Sequence, residues 1–275
     1  MTSGAKQHTP SADIKACDPV WMRVQAEAEE VAKKEPALAG FVTKFVLSQD
    51  NLESAVVRRI ASRLDHADVP REEISAALHD VIGKNPEIAG AIRVDLGAVF
   101  DRDPACERLI EPLLYFKGFH ALQTARLAAE LWRDGRRDFA YYLQSASSSV
   151  FGVDIHPAAR IGKGIMLDHA TAIVVGETAV IGDDVSILHG VTLGGTGKQD
   201  EDRHPKVGNG VLIGAGAKIL GNIKIGDCVR IASGSVVLKD VPDNKTVAGV
   251  PARIVGEAGC PEPARAMDQM IESDL

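Results

Sequence analysis

The sequence predicts an α+β fold in which an all-helical N-terminal half precedes a parallel β-helix. Apolar residues recur at helical spacing up to about residue 150, and from Ile155 an aliphatic residue returns every six positions. All twelve Phe, Trp and Tyr residues lie at or before Phe151, whereas 19 of the 26 glycines lie from Gly152 onward. Two kinds of packing therefore share the 275-residue chain, with a border near residue 151.

The first half is expected to hold a flexible tail over residues 1–18 and a helical domain over residues 19–150. One apolar stripe recurs at steps of four, after a plausible cap at Asn51, and a second helix is expected to start at Arg71. Pro86 fits the first turn of a third helix, where its missing N–H costs nothing. The stripe consists of Leu52, Val56, Ile60 and Leu64. We interpret the aromatic cluster around residues 115–120 as core and assembly packing.

The second half is a repeat of six-residue units, each predicted to form a short strand and a turn. Three units make one triangular coil, and the repeated aliphatic side chain fills the interior, which is too narrow for aromatic rings. The repeated positions are Ile155, Ile161 and Leu167, then, after two extra residues, Val175, Ile181, Ile187 and Leu193, and after a polar insertion Val207, Ile213, Ile219, Ile225, Ile231 and Val237. We assign residues 151–256 to this domain, and residues 257–275 to a mobile C-terminal tail.

A polar insertion interrupts the repeat between Leu193 and Val207. Residues 196–206 are charged and out of register, and we expect them to form a loop extruded from the β-helix. Because regular coils offer only a scaffold, an extruded loop is commonly functional.

Composition excludes several classes of protein. A formal net charge of −7 without a clustered basic stripe argues against nucleic acid as a partner. No apolar run approaches the roughly 18 residues of a membrane helix, and the first twenty residues lack a signal-peptide core. Four widely separated cysteines fit free thiols in a reducing cytosol, so we expect a cytoplasmic protein.

Several strings of the sequence resemble the serine acetyltransferases, a family of hexapeptide-repeat acyltransferases. They are RDPA at 102–105, LLYFKGFHALQ at 113–123, VDIHPAA at 153–159, GIMLDHAT at 164–171, VTLGGTGK at 191–198 and DRHPK at 202–206. The resemblance covers roughly residues 20 to 256 and implies a left-handed β-helix. It also implies transfer of an acetyl group from acetyl-coenzyme A (acetyl-CoA) to the hydroxyl of L-serine, the first step of cysteine biosynthesis from serine, with no metal.

The resemblance assigns His169 as the general base that takes the proton from the serine hydroxyl, with Asp154 orienting the imidazole. The two residues are 15 positions apart, near the roughly 18 of one coil, so adjacent coils could bring them together. By the same resemblance Asp103 and Asp168 bind the ammonium group of serine. Arg203 and His204, on the extruded loop, bind its carboxylate, for which a guanidinium is well suited.

The resemblance places coenzyme A in a groove between neighbouring β-helices, which implies a homotrimer, and two trimers joined by the helical domains make a hexamer. Small residues that allow close approach would face the pantetheine arm, and cations would face the phosphates. The candidates are Gly194, Gly195, Thr196, Lys198, Gly214, Ala215, Lys218, Ala232 and Arg253. The family further implies feedback inhibition by L-cysteine and a complex with O-acetylserine sulfhydrylase through the C-terminal tail, although this chain ends in Leu275.

Three other interpretations stay open at this point. A transferase of the same fold could use another hydroxyl acceptor, and a non-enzymatic scaffold could bind the next enzyme of the pathway. A zinc-dependent hydratase would need three histidines, for which His169, His189 and His204 could be proposed. No Cys or Ser is placed as an acyl-enzyme nucleophile, since Cys228 belongs to a repeat unit, and we therefore predict direct transfer.

Overall fold

The computed structural model describes residues 18–197 and 201–270. The predicted N-terminal tail except Asp18, the coenzyme A candidate Lys198 and the C-terminal Leu275 therefore lie outside the described residues. The helices are α1 (Pro19–Lys34), α2 (Ala39–Val42), α3 (Leu52–Arg63), α4 (Arg71–Lys84), α5 (Glu87–Arg102), α6 (Ile110–Leu114), α7 (Lys117–Arg133), α8 (Arg137–Phe151) and α9 (Pro263–Ala266). A 3₁₀ turn over Pro36–Leu38 precedes α2 and a π-helical turn over Thr43–Leu47 follows it.

The helix starts follow from local sequence. The side chain of Asn51 accepts a hydrogen bond from the Ser54 N–H at 2.8 Å, so the predicted cap of α3 is confirmed. Helix α4 begins at Arg71 as predicted. Two glutamates lie in its first turn, where their negative charges interact favourably with the positive end of the helix dipole. Pro86 stands immediately before α5, which needs no N–H from it.

The second half of the chain is a parallel β-helix of five coils, which confirms the predicted architecture. Its strands are β1 (Val153–Ile155), β2 (Arg160–Ile161), β3 (Met166–Asp168), β4 (Ile173–Val175), β5 (Val180–Ile181), β6 (Ser186–Leu188), β7 (Thr192–Gly194), β8 (Lys206–Val207), β9 (Leu212–Ile213), β10 (Lys218–Leu220), β11 (Lys224–Ile225), β12 (Arg230–Ile231), β13 (Val236–Val237), β14 (Lys245–Gly249) and β15 (Ala252–Glu257). Sheet A holds β1, β4, β7, β10 and β13; sheet B holds β2, β5, β8 and β11; sheet C holds β3, β6, β9, β12, β14 and β15.

The register of sheet A reproduces the six-residue period. Ile155 pairs with Val175, Val175 with Leu193, Leu193 with Ile219, and Ile219 with Val237. Each of these side chains is at most 5% exposed, so the repeated aliphatic residue fills the interior as predicted. The insertion leaves the register intact, because β8 pairs with both β5 and β11.

The helical half rests on the first coil. Helix α8 ends at Phe151, and Gly152, at φ 71°, reverses the chain directly into β1. A buried ion pair ties the helices to the coil: Arg126 donates to Asp95 through Nε at 2.7 Å, and also to the Ile161 carbonyl at 3.2 Å. Asp95 in turn accepts from the Ile165 N–H at 3.0 Å, immediately before β3.

The C-terminal segment differs from the expected mobile tail over residues 257–275. Its described part packs against the β-helix, where Ala258 and Ala264 are each 2% exposed and the Ser186 hydroxyl donates to the Ala264 carbonyl at 2.8 Å. Arg230 reaches the carboxylate of Asp268 at 3.4 Å. The small side chains of Ala258 and Ala264 and the hydrogen bond from Ser186 hold this segment on the β-helix. Its content of charged residues and proline does not reveal these contacts.

None of the helices among the described residues is long and apolar enough to cross a membrane.

Candidate active site

His169 lies on a strained turn at the corner where the first coil passes from sheet C to sheet A, here the C–A corner. Three of its residues have backbone φ angles in the left-handed region, which residues other than glycine rarely adopt. They are His169 at 53°, Ala170 at 58° and Ala172 at 60°. Such strain costs of order 1–3 kcal/mol per residue and persists only where the surroundings enforce it. Here Ala172 N–H donates to the Gly152 carbonyl at 2.7 Å, and Lys117 donates to the hydroxyl of Thr171.

A cavity of about 340 Å³ opens between the helical half and this turn. It brings together three residues predicted for the site, Asp103, Asp168 and His169. Asp103 stands at the C-terminal end of α5, where its carboxylate also accepts from the Ala105 N–H at 2.9 Å. Apolar walls come from Val99, Phe116, Phe119, Met166 and Leu167. The helical half therefore supplies a carboxylate to the same cavity as the imidazole.

The electrostatics of the cavity favour a cationic ligand. Burial raises the pKa of the Asp168 carboxyl, and the neighbouring carboxylate of Asp103 raises it further, while His169 and His189 act in the opposite direction. His169 Nε2 lies 3.8 Å from Asp168 Oδ1, and the imidazole, which lines the cavity, is 77% exposed. An ammonium group bound between the two carboxylates would relieve their repulsion and stand beside an accessible base.

The second catalytic candidate, Asp154, lies on β1 but does not bond to His169. Its Oδ1 accepts from Gln144 Nε2 at 2.7 Å, whereas His169 faces Asp168 and packs edge-on against His189 with ring centroids 5.9 Å apart. Among the described hydrogen bonds and ion pairs, none joins Asp154 to His169. The backbones are nonetheless adjacent, because the turn carrying His169 bonds to Gly152, two residues before Asp154.

Arg203 and His204 lie at a different corner, where the chain passes from sheet A to sheet B, here the A–B corner. Arg203 Nη2 donates to Glu177 Oε2 at 2.8 Å. His204 is 6% exposed, and its Nδ1 accepts from the Thr178 N–H at 3.2 Å. Burial lowers the pKa of His204, with the charge of Arg203 adding to the effect. Within one chain, these two predicted serine ligands and the cavity therefore stand at separate corners.

The coenzyme A candidates are divided between the same two corners. Gly194, Gly195 and Thr196 lead into the extruded loop at the A–B corner. The C–A corner carries Gly214, Ala215 and Ala232, which lie further along the β-helix axis than His169. Lys218 follows this corner at the start of β10. Arg253 lies elsewhere, on β15. The C–A corner is held by repeated 2.8 Å backbone bonds from Gly190 to Thr171, Gly216 to His189 and Gly234 to Ala215. Small residues thus continue in a row from the His169 turn along the β-helix.

Among the residues that the structure describes, no group of three or more His, Cys, Asp or Glu side chains is arranged to hold a metal ion. Of the three histidines considered for zinc, His169 and His189 are neighbours on the C–A corner, whereas His204 is buried at the A–B corner.

Three contacts of the site were missed by reasoning from sequence. Gln144 holds Asp154, and its place on α8, ten residues earlier, gives no hint of that contact. On α7, Lys117 donates to the Thr171 hydroxyl near the β4 end of the turn, and Gly118 packs so closely on β3 that a methyl group there would lie 2.0 Å from the Leu167 carbonyl oxygen. The string at 113–123 contained these two residues, but only as part of a resemblance.

Comparison with known proteins agrees with this architecture. The family model for the N-terminal region of serine acetyltransferases matches residues 20–124, and a model of six bacterial transferase hexapeptide repeats matches residues 204–239. The serine acetyltransferase of Salmonella typhimurium is 53% identical over 250 residues, covering 91% of this chain and 92% of that protein.

Solved structures agree over nearly the whole chain. A Brucella abortus serine acetyltransferase in complex with coenzyme A is 60% identical with a TM-score of 0.88, covering 90% of this chain and 100% of that one. A serine acetyltransferase in complex with cysteine is 50% identical with a TM-score of 0.90, covering 92% of this chain and 98% of that one. With more than half of its residues identical over nine-tenths of its length to a curated member, this chain belongs to the serine acetyltransferase family.

Proposed function

We propose that this chain transfers an acetyl group from acetyl-CoA to the hydroxyl of L-serine, giving O-acetyl-L-serine and coenzyme A in the first step of cysteine biosynthesis from serine. The observation that carries the proposal is the cavity in which Asp103, Asp168 and His169 meet. Two carboxylates suit the ammonium of an amino acid, and an exposed imidazole beside them suits the deprotonation of its hydroxyl. The relatives, which are named for this activity, support the same conclusion.

In the proposed mechanism His169 acts as general base. It takes the proton of the serine hydroxyl while the oxygen attacks the thioester carbonyl of acetyl-CoA, and the resulting imidazolium returns the proton to the departing sulfur. Asp154 orients the ring and stabilises the imidazolium once the His169 side chain turns toward β1. Such a base contributes about 10²–10⁴-fold in rate.

Direct attack is favoured over an acetyl-enzyme because two of the three described thiols, those of Cys106 and Cys228, are poor nucleophiles. Burial raises the pKa of the Cys106 thiol to about 12 and also raises that of Cys228. Since the thiolate is the nucleophilic form, neither group is activated for acyl transfer.

The serine site is proposed to be completed by a second protomer. Arg203 and His204 stand at the A–B corner and the cavity stands at the C–A corner, so one chain cannot present all of them to one amino acid. Packing of three β-helices side by side would bring the A–B corner of one against the C–A corner of the next. We therefore propose a homotrimer, in which Arg203 and His204 bind the carboxylate of a serine held by the neighbouring cavity, and a dimer of trimers through the helical halves.

The C–A corner is proposed as one wall of the acetyl-CoA groove. Its row of small residues starts beside His169 and includes Gly214, Ala215 and Ala232, so a pantetheine arm lying along it would place the thioester at the base. Close packing already restricts these positions, because a methyl group on Gly214 would lie 2.5 Å from the Ser233 nitrogen. Gly194, Gly195 and Thr196 would supply the opposite wall, and Lys198, Lys218 and Arg253 the phosphate contacts.

L-Cysteine is proposed as a feedback inhibitor that competes with serine for the same carboxylates and Arg203, because the two amino acids differ only in the side-chain heteroatom. The relative solved with cysteine supports this. An O-acetylserine sulfhydrylase complex through the C-terminal residues, and a cytoplasmic location, are proposed on the family resemblance alone.

The test is a thiol-release assay with acetyl-CoA and L-serine, run on the wild type and on His169→Ala. We expect the substitution to lower kcat by about 10²–10⁴-fold. Wild-type activity with no dependence on serine, or activity with another hydroxyl acceptor only, would overturn the proposal. Stoichiometric zinc lost together with activity would favour the hydratase instead.

A further inference from the structure

The junction between α8 and β1 is a tight reversal that lays the last turns of the helix over the first strand. Gly152 adopts φ 71°, and the helix packs back along β1. Two side chains of α8 bond to the strand: the Ser147 hydroxyl donates to the Val153 carbonyl at 3.4 Å, and Gln144 Nε2 donates to Asp154 Oδ1 at 2.7 Å. The carboxylate proposed to orient the base is therefore held by the helical half.

The same junction fixes the distance from Asp154 to the turn that carries His169. The Gly152 carbonyl accepts from Ala172 N–H at 2.7 Å, so β1 and the turn are bonded two residues from Asp154 and three residues from His169. A second tie, from Gly190 N–H to the Thr171 carbonyl at 2.8 Å, holds the turn from the next coil. Because the backbones are fixed, whether the carboxylate reaches the imidazole depends on the side-chain torsions of the two residues.

We propose that Gln144 is a positioning residue for the reaction, acting through Asp154; this rests on the function proposed above. Its amide fixes one carboxylate oxygen and leaves the other for the imidazole N–H of His169. Without that bond the carboxylate can rotate, so the enzyme must order it again in each catalytic cycle, which lowers kcat.

The experiment compares steady-state kinetics of Gln144→Ala and the isosteric Gln144→Glu, which loses the donor, with the matched control Ser147→Ala. Ser147→Ala removes the other side-chain bond between α8 and β1 without touching Asp154. A hydrogen bond to a charged group lost in the transition state corresponds to a fall in kcat of about 10- to 100-fold. We expect that fall for both Gln144 variants, with KM for serine and acetyl-CoA changed less than about threefold. Ser147→Ala should keep the kcat of the wild type.

The decisive comparison repeats Gln144→Ala in an Asp154→Asn background. If Gln144 acts through the carboxylate, the second substitution should lower kcat by less than about threefold. Equal losses in both backgrounds, or a loss in Ser147→Ala as large as that in Gln144→Ala, would mean that Gln144 only stabilises the junction. Wild-type kcat in Asp154→Asn would instead refute the proposed pairing of Asp154 with His169, whereas a strong Asp154→Asn effect with silent Gln144 variants would refute the positioning role alone.

Discussion

Replacing Gly118 with alanine should test how closely the helical half controls the turn that carries His169, the proposed general base. Gly118 is the second residue of α7, and its Cα lies directly against β3. An added methyl group would stand 2.0 Å from the Leu167 carbonyl oxygen and 3.1 Å from the carbonyl carbon, whereas such contacts are essentially never below 3.0 Å. The obstructing atoms are backbone, so either α7 or β3 must move by about 1 Å to relieve the overlap.

The expected loss follows from where that movement occurs. Leu167 precedes the site residues Asp168 and His169, and a misplacement of about 1 Å in an active site can cost about 10²-fold in rate. We therefore expect Gly118→Ala to lower kcat by about 10²-fold and to cost roughly 1–3 kcal/mol in the free energy of unfolding, as overpacked sites do.

Thiol release at saturating serine and acetyl-CoA measures kcat, and urea unfolding measures stability. The matched control is Gly97→Ala, in the interior of α5, where an added methyl group meets nothing within 4 Å. This control should keep wild-type kcat and gain up to about 1 kcal/mol, since alanine is favoured over glycine in helices. A Gly118→Ala protein with wild-type kcat and stability would refute the claim that close contact of α7 with β3 sets the position of the turn.

Three further predictions concern the loop, the cavity and the domain junction. In Gly176→Ala the new methyl group would lie 1.9 Å from His204 Nε2 and would displace the His204 ring. Because His204 is proposed to bind the serine carboxylate, we expect at least about a tenfold rise in the KM for serine, measured by thiol release. An unchanged KM would show that His204 does not bind serine. Burial raises the folded-state pKa of Asp168, so its ionised form destabilises the fold as pH rises. Asp168→Asn should therefore be more stable than wild type at pH 7 and equal to it only well below the ordinary Asp pKa of about 3.9, where the carboxyl is protonated in both the folded and the unfolded state. Urea midpoints that differ equally at high and low pH would contradict this. Asp95→Asn leaves the largely buried guanidinium of Arg126 without its counter-charge and should lower the free energy of unfolding by about 3–5 kcal/mol. An unchanged urea midpoint would show that the Asp95–Arg126 ion pair does not stabilise the fold.

The sequence predicted the fold well because its main determinant is local. A six-residue period fixes both the strand length and which side chain faces inward. The ladder through Ile155, Val175, Leu193 and Ile219 therefore follows from the order of the aliphatic residues once the insertions before Val175 and Val207 are recognised. Docking of the C-terminal segment escaped prediction, because it depends on a few long-range contacts, such as that of the Ala264 carbonyl with the Ser186 hydroxyl and that of Asp268 with Arg230.

The site was less accessible to sequence reasoning, since its geometry depends on which corner each residue occupies. Counting units would have revealed that the extruded loop follows a sheet A strand whereas His169 follows a sheet C strand, and therefore that Arg203 stands at another corner. The contact between Gln144 and Asp154 left no comparable pattern, because it depends on how α8 folds back at Gly152. Nothing in the sequence indicated that the missing side chain of Gly176 makes room for the His204 ring.

The position of the cavity at the first coil has a physical reason. Turns at the C–A corner recur along the whole β-helix, but within the described part of the chain only the first carries three non-glycine residues in the left-handed region. The first coil is also the one on which α5, α7 and α8 all pack. A strained turn needs outside contacts to persist, and Lys117 supplies one of them from the helical half. The helical half also adds Asp103 to the cavity and Gln144 to Asp154. The repeat thus provides a regular surface along which a long acyl donor could lie, while the helices add to one of its corners the groups of the proposed amino-acid site.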